Sequence, residues 1–380
     1  MMLRSPVSGQ LLHIDGHALT GVEGERWPVV DRIAFLRADR RGLADAALAA
    51  LDMGDVDGAT VLLLGDQDEW AKTPPPLEAD RRELVANRHG VTFRQAMSLL
   101  AFGPVGDYFA HRWSDPTFLS GLALLEAHGG TPARAFELAC GAGHFLRVLS
   151  RHASFVSGGD IVFAKLWLAR HFVAPDADLV CFDASAPWPF AAASHDLVFC
   201  HDALYFLPRK PHVADEMRRV AGAGTILVGH THNALTDNFS SGSPLAPAGY
   251  AALFAPACLY DDAELTAAYA QSRAPVPAGA DALASAAAIA LVSGDAARAR
   301  PVTGGWSAPD RARRLVRNPL YVVGDDGALE RRFPSERYAR EYGPSVTYPP
   351  TTDAPAEVFA GEADAALVRT RVLLDLPDRW

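Results

Sequence analysis

The sequence predicts an α/β fold: a mostly parallel sheet flanked by helices, with a small β module in front and an extension behind. Three observations predict it. From Pro132 to Asn233 short apolar runs alternate with helical patterns, which marks βαβ units. The first run ends in the glycine-rich turn "ELACGAGHF" at 137–145, and acids stand at the ends of the next two runs. No apolar run approaches the roughly 18 residues of a membrane span; "ATVLLLG" and "GTILVGH" both stop early.

In chain order, "QLLHIDGHALTG" and "RWPVVDRIAFLR" alternate apolar and polar residues around Gly and Asp turns, giving short strands over the first 40 or so residues. Residues 42–52 and 80–100 carry helical patterns, with "TPPPLEADRR" between them. Strands are expected at 134–139, 154–159, 178–182, 195–200 and 224–230, and helices at 143–152, 162–173 and 208–221. Ala-rich segments near 261–270 and 280–292 read as helices, and "NPLYVVGDDGALERRF" as a hairpin turning at Asp-Asp-Gly. The expected division is a β-rich module at 1–40, a helical connection at 41–103, a core at 104–235, a helical insertion or lid at 236–310, and closing strands with a C-terminal extension at 311–380.

Composition narrows the function classes. With 35 basic and 45 acidic residues the net charge is −10, which opposes binding to a phosphate backbone. The basic run "DRARRLVRN" reads as a solvated helix face. Cys140, Cys181, Cys200 and Cys258 form no C-x-x-C pair, so neither a zinc ribbon nor a disulfide framework is expected. The N-terminus shows no signal-peptide pattern, and the expected location is the cytoplasm.

A glycine turn at the carboxyl end of a parallel strand is where such sheets hold ligands. Gly141 and Gly143 allow close backbone approach, and the amides of the following helix face the site. The dinucleotide pattern G-x-G-x-x-G is only partly met, because Leu146 stands at its third glycine. Asp160 suits two vicinal ribose hydroxyls but fits dinucleotides as well. Asp183 narrows the choice: Glu137, Asp160 and Asp183 follow one another at intervals of 23 residues, and an acceptor at the third strand end suits an adenine amine.

Four segments in order then carry a family resemblance: "ELACGAG", "GGDIVFAKLWLAR", "DASAPWPF" and "HDLVFCHDALYFL". Residues 104–235 resemble a class I S-adenosylmethionine-dependent methyltransferase, of the type 11-like kind, although Val162 replaces the usual serine of the second motif. The resemblance implies a Rossmann-like seven-stranded, mostly parallel sheet and S-adenosylmethionine as cofactor. It implies cofactor contacts by Glu137, Ala139, Gly141, Gly143, Asp160, Ile161, Asp183, Ala184 and His201, and by Tyr108 and Arg112 on a helix folding over the methionine end. That helix, with Phe109 and Trp113, also suits plain burial.

"LRSPVSGQLLHIDG" with "WPVVDRIAFL" resembles a small zinc-ribbon-like module found in front of some bacterial methyltransferases. Ser5 and Ser8 stand at its cysteine positions, so it is expected to hold together without metal.

Methyl transfer from a sulfonium needs positioning and exclusion of water, and a base only for some acceptors. His201, Asp202 and Tyr205 after the fourth strand, with His230 and His232 on the fifth, are the candidate catalytic residues. Each histidine alone equally suits a capping or packing role. The set His201, Asp202, His230 and His232 lacks ligand spacing along the chain, so no metal is expected. Phe239, Ser240, Ser241, Tyr250, Phe254 and Tyr260 are expected to line an acceptor pocket. The expected partner is a small or medium-sized metabolite methylated at oxygen or nitrogen, with nucleic acid and membrane disfavoured. The alternatives are an rRNA or tRNA acceptor, a nucleotide-dependent oxidoreductase, and a cofactor-binding protein without turnover.

Overall fold

The computed structural model describes residues 2–71, 73–238, 242–293 and 299–380. An 11-stranded sheet runs through it. Its strands in chain order are β1 (His13–Asp15), β2 (Ala18–Thr20), β3 (Arg26–Val30), β4 (Ile33–Phe35), β5 (Arg134–Leu138), β6 (Phe155–Asp160), β7 (Asp178–Cys181), β8 (Leu197–His201), β9 (Thr225–His232), β10 (Ala257–Asp261) and β11 (Ala288–Ser293). They lie side by side as β1-β2-β3-β4-β7-β6-β5-β8-β9-β11-β10. From β4 to β9 every pairing is parallel, and β11 enters antiparallel between β9 and β10. The order reverses beside β5, so the carboxyl ends of β5, β6 and β8 open on one crevice, where ligands of open α/β sheets bind.

The five central strands form where their apolar runs predict them. β8, "LVFCH", is buried throughout, as a strand covered by helices on both faces must be. Phe136 on β5 packs against Phe182, Trp188 and Phe190, with ring centroids 4.6–6.4 Å apart. The helices Pro116–His128, His144–Leu149, Phe163–Leu168 and Lys210–Ala221 cover the sheet and complete one continuous core.

Four expectations are corrected. Segment 280–292 is not a helix: after a short turn at Asp281–Leu283 it becomes β11, whose burial along its length outweighs alanine's helix propensity. Residues 236–310 are therefore not an added lid; the helix Pro247–Leu253, β10, the helix Asp262–Gln271 and β11 are the closing part of the central sheet. "NPLYVVGDDGALERRF" does form a hairpin, Tyr321–Val323 against Leu329–Arg331, but it joins Thr351–Thr352 in a separate sheet. A second small sheet pairs Arg314–Arg317 with Glu357–Phe359 and Leu373–Leu374.

The N-terminal strands do not stand apart either, because β4 pairs in parallel with β7. The β3–β4 hairpin turns on Asp31 and Arg32, both at positive φ (51° and 62°), as a two-residue turn of this hand requires. Asp31 accepts hydrogen bonds from Trp167 Nε1 at 2.8 Å and from His171 at 2.9 Å, fastening the hairpin to the core. At the cysteine-like positions, the Ser5 and Ser8 hydroxyls donate to the two oxygens of Glu25 at 2.7 and 3.0 Å. A serine–carboxylate cluster ties this corner together. The C-terminus is fastened as firmly: Trp380 Nε1 donates to the Ala110 carbonyl, and Asp375 accepts from Arg147 and Arg313 at 2.8 Å.

Candidate functional site

At the end of β5 the chain makes its glycine turn through left-handed backbone: Ala139, Gly141 and Gly143 have φ of 52°, 54° and 86°. A Cβ on Gly143 would come 2.9 Å from that of Ala169, so the turn and the neighbouring helix are packed too closely for any side chain. Glu137 is buried beneath the turn, at the end of β5. Its Oε2 is buried without a hydrogen-bond partner, and burial raises its pKa well above the carboxylate range.

Asp160 at the end of β6 reaches across to the same turn. One carboxylate oxygen accepts the Gly141 N–H at 3.0 Å, the other the Val162 N–H at 2.9 Å, and Lys165 Nζ lies 3.7 Å away. Burial opposes charge on Lys165, but Asp160 and Asp68 hold its pKa above the ordinary value. Past β7, Asp183 and Phe182 line a cavity of about 240 Å³ with Leu36, Ala38, Asp39 and Ala186. The Ile161 carbonyl accepts from Arg37, whose buried guanidinium also pairs with Asp66 at 2.9 Å and with Asp39. Ala184 is buried and its carbonyl accepts Trp188 Nε1.

The second cluster gathers at the ends of β8 and β9. Asp202, at φ 57°, accepts from the Tyr108 and Tyr205 hydroxyls at 2.7 and 2.8 Å, and Arg112 Nη1 stands 3.3 Å from it. Burial opposes its charge, yet His230 and Arg112 hold its pKa well below the ordinary value. Arg112 is buried as well, 3.4 Å from Asp115, and donates to His201 Nδ1 at 3.1 Å and to Thr117.

The three histidines differ. His201 accepts from Arg112 on Nδ1, so its proton sits on Nε2, which is buried without a partner; burial and Arg112 keep the ring neutral. The lone pair of His201 is thus engaged by Arg112. His230 Nδ1 meets Asp262 at 2.9 Å; burial opposes its charge, but Asp262 and Asp202 push its pKa up to about 9. His232 stacks on Tyr205 with centroids 3.9 Å apart; burial, aided by His230, lowers its pKa to about 4, and its Nδ1 has no partner.

The helix Pro104–His111 lies over both clusters. Phe109 rests on the turn, its ring 3.2 Å from where a Cβ of Gly141 would be, and its carbonyl accepts from His144 at 2.9 Å. One residue earlier, Tyr108 reaches Asp202 and stacks on Tyr342 of the C-terminal extension.

The residues expected to bind the cofactor or to act in catalysis thus fall into two groups around the carboxyl ends of β5 to β9. The aromatic set expected to line a pocket does not join them. Tyr250 and Phe254 are fully buried, and Tyr250 donates to the His232 carbonyl at 3.0 Å, bracing the site from behind. Tyr260 is buried against His128, and Phe239, Ser240 and Ser241 lie outside the described residues. Sequence reasoning missed Arg37, Asp66, Asp115 and Asp262. Asp115 enters locally, as the cap of the helix Pro116–His128 three residues after Arg112; Arg37 and Asp66 are brought in by the conjunction of β4 with β7, and Asp262 by that of β9 with the helix after β10.

A family described as a methyltransferase domain matches residues 136–229, from β5 through β9. No curated protein matches the chain. Among solved structures, the YcgJ protein of Bacillus subtilis is similar at 19% identity over 38% of this chain and 69% of its own, with a TM-score of 0.31. A putative methyltransferase from Bacillus halodurans is similar at 13% identity over 46% of this chain and 96% of its own, with a TM-score of 0.33. A phosphoethanolamine N-methyltransferase of Haemonchus contortus, in complex with S-adenosylhomocysteine, is similar at 22% identity over 43% of this chain and 40% of its own, with a TM-score of 0.29.

Proposed function

With residues 136–229 forming a class I S-adenosylmethionine-dependent methyltransferase domain, we propose that the protein methylates an oxygen or nitrogen of a small or medium-sized metabolite at the cluster beside β8 and β9. The observation that carries this reading is the hydrogen bond that the Gly141 amide donates to Asp160, which sets a carboxylate beside a left-handed glycine turn at the end of the central strand.

The residues present suit the cofactor. The unpartnered Glu137 Oε2 is a buried acceptor under the turn, placed to take a hydrogen bond from the cofactor's ammonium group. Asp160 would take the ribose, and Asp183, on its cavity, the adenine. When bound, the cofactor supplies an electrophilic methyl carbon on a sulfonium. An acceptor lone pair displaces it, and the C–S electron pair returns to sulfur. The chain's contribution is placement: Tyr108, Asp202 and Tyr205 present polar atoms at the neighbouring end, and the helix Pro104–His111 excludes water. His232, neutral with an unpartnered nitrogen, leaves one acceptor at this end free to take a ligand. Phe109 rests on Gly141, so this helix is expected to move aside when the cofactor enters. The acidic balance of the chain supports a small acceptor over RNA.

Calorimetric titration with S-adenosylhomocysteine tests the reading. Wild type is expected to bind, and Asp160→Asn to bind at least tenfold more weakly. Equal affinity in the two would remove Asp160 from the ribose, and no binding to wild type would remove the cofactor site.

A further inference from the structure

The acceptor end holds more ligand chemistry than methyl transfer requires. Asp202, His230 and His232 each offer one donor atom, and the three atoms lie within 4.8 Å of one another. His230 Nε2 and Asp202 Oδ1 stand 3.9 Å apart, too far for a hydrogen bond. Donors about 2.1 Å from one tetrahedral ion lie about 3.4 Å apart, so the set closes on an ion when side-chain rotation shortens its separations by up to about 1.4 Å.

Two further features fit. A metal-binding histidine generally donates its other ring N–H to a carboxylate, and His230 Nδ1 does so to Asp262 at 2.9 Å. His232 is more than nine-tenths buried and stacked on Tyr205, yet its Nδ1 has no partner, an expense a ligand would relieve. Asp202 Oδ1 also accepts from the Tyr205 hydroxyl, and the other oxygen is held by the Tyr108 hydroxyl and faces Arg112, so the carboxylate's plane is fixed.

We propose that Asp202, His230 and His232 bind a divalent first-row transition cation such as zinc, with Asp262 positioning His230 and at least one coordination place open to an acceptor. Two imidazoles and one carboxylate favour such borderline ions over magnesium or calcium, which take oxygen donors. The open place makes the acceptor class an oxygen donor able to coordinate; that clause rests on the reading of this end as the acceptor site, whereas the ion's binding does not. The donors come from two adjacent strand ends, so no regular spacing along the chain marks them.

The test is calorimetric titration of the metal-free full chain with zinc, repeated with cobalt(II) and followed by visible absorption. Wild type is expected to take up one ion per chain with a cobalt spectrum of low coordination number. His232→Gln is expected to bind at least tenfold more weakly, and Asp262→Asn roughly ten- to hundredfold more weakly. His195→Gln, whose ring bonds Ser157 and Ser194 instead, is expected to bind as wild type does. No stoichiometric uptake by wild type, or uptake unchanged in both site variants, overturns the proposal. Titration of the same preparation with S-adenosylhomocysteine separates the two readings: ion uptake without it supports the metal site and rejects the cofactor site, and its binding without ion uptake rejects the metal site alone.

Discussion

The two ends of the crevice are built in different ways. At the glycine turn the chain uses backbone: left-handed residues at 139, 141 and 143, amides aimed at one carboxylate, and acids placed one per strand end. At the neighbouring end it uses buried charge, with Arg112 among Asp115, Asp202 and His201, and His230 between Asp202 and Asp262. A backbone site tolerates change in most of its side chains. A site of buried charges is balanced as a unit and fails as one.

The sharpest way to break that contrast is to remove the central cation. Arg112→Met leaves Asp115 and Asp202 buried without their common partner, and loss of one member of a buried pair costs about 3–5 kcal/mol. Urea unfolding should show a loss of this order. A loss below about 1 kcal/mol would mean that water already screens the cluster, and the two ends would then differ less than the geometry indicates.

The same contrast explains what the sequence disclosed. The glycine turn, Asp160 and Asp183 were legible because each sits at a strand end inside its own local pattern, and the five central strands were legible as apolar runs between helical periods. The buried-charge cluster was legible only as a list of polar residues after β8 and β9. Its organiser, Arg112, lies 89 residues from His201 along the chain, and Asp262 lies 32 from His230, distances over which no spacing rule operates. β11 was read as a helix because "ALASAAAIALV" is alanine-rich, and its pairing with β9, which only the folded sheet supplies, decides its conformation. The N-terminal strands were expected as a separate module because nothing local reveals that β4 would pair with β7.

Besides Glu137, the glycine-turn end carries a histidine whose charge its packing does not balance. His144, in the first turn of the helix after Gly143, donates to the Phe109 carbonyl, and burial, with Arg112 nearby, lowers its pKa to about 3. The unfolded chain binds this proton near pH 6.5 and the folded chain only near 3, so the stability is complete above about 6.5 and falls as pH drops through that window. At pH 5 the loss from this residue is about 2 kcal/mol, at about 1.4 kcal/mol per unit. His144→Gln, which keeps a donor but does not titrate, is expected to flatten that part of the stability–pH curve in thermal or urea unfolding. An unchanged slope would place the acid sensitivity in the other buried histidines and leave the turn end indifferent to pH.

The smallest effect is expected where the two ends meet. The helix Pro104–His111 puts Phe109 on the glycine turn and Tyr108 on Asp202, so it couples a backbone site to a charged one. Tyr108→Phe keeps the ring, its stacking on Tyr342 and its contact with Arg112, and removes only the hydroxyl bonded to Asp202. Asp202 retains Tyr205 and Arg112, so the stability cost should be about 1 kcal/mol. The kinetic effect should be the larger signature: with one tether gone, the helix lifts from Gly141 more readily, and S-adenosylhomocysteine should associate and dissociate faster in stopped-flow mixing with little change in affinity. A slower exchange, or a stability loss matching that of Arg112→Met, would mean that Tyr108 belongs to the charge cluster itself and that the two ends are one site energetically.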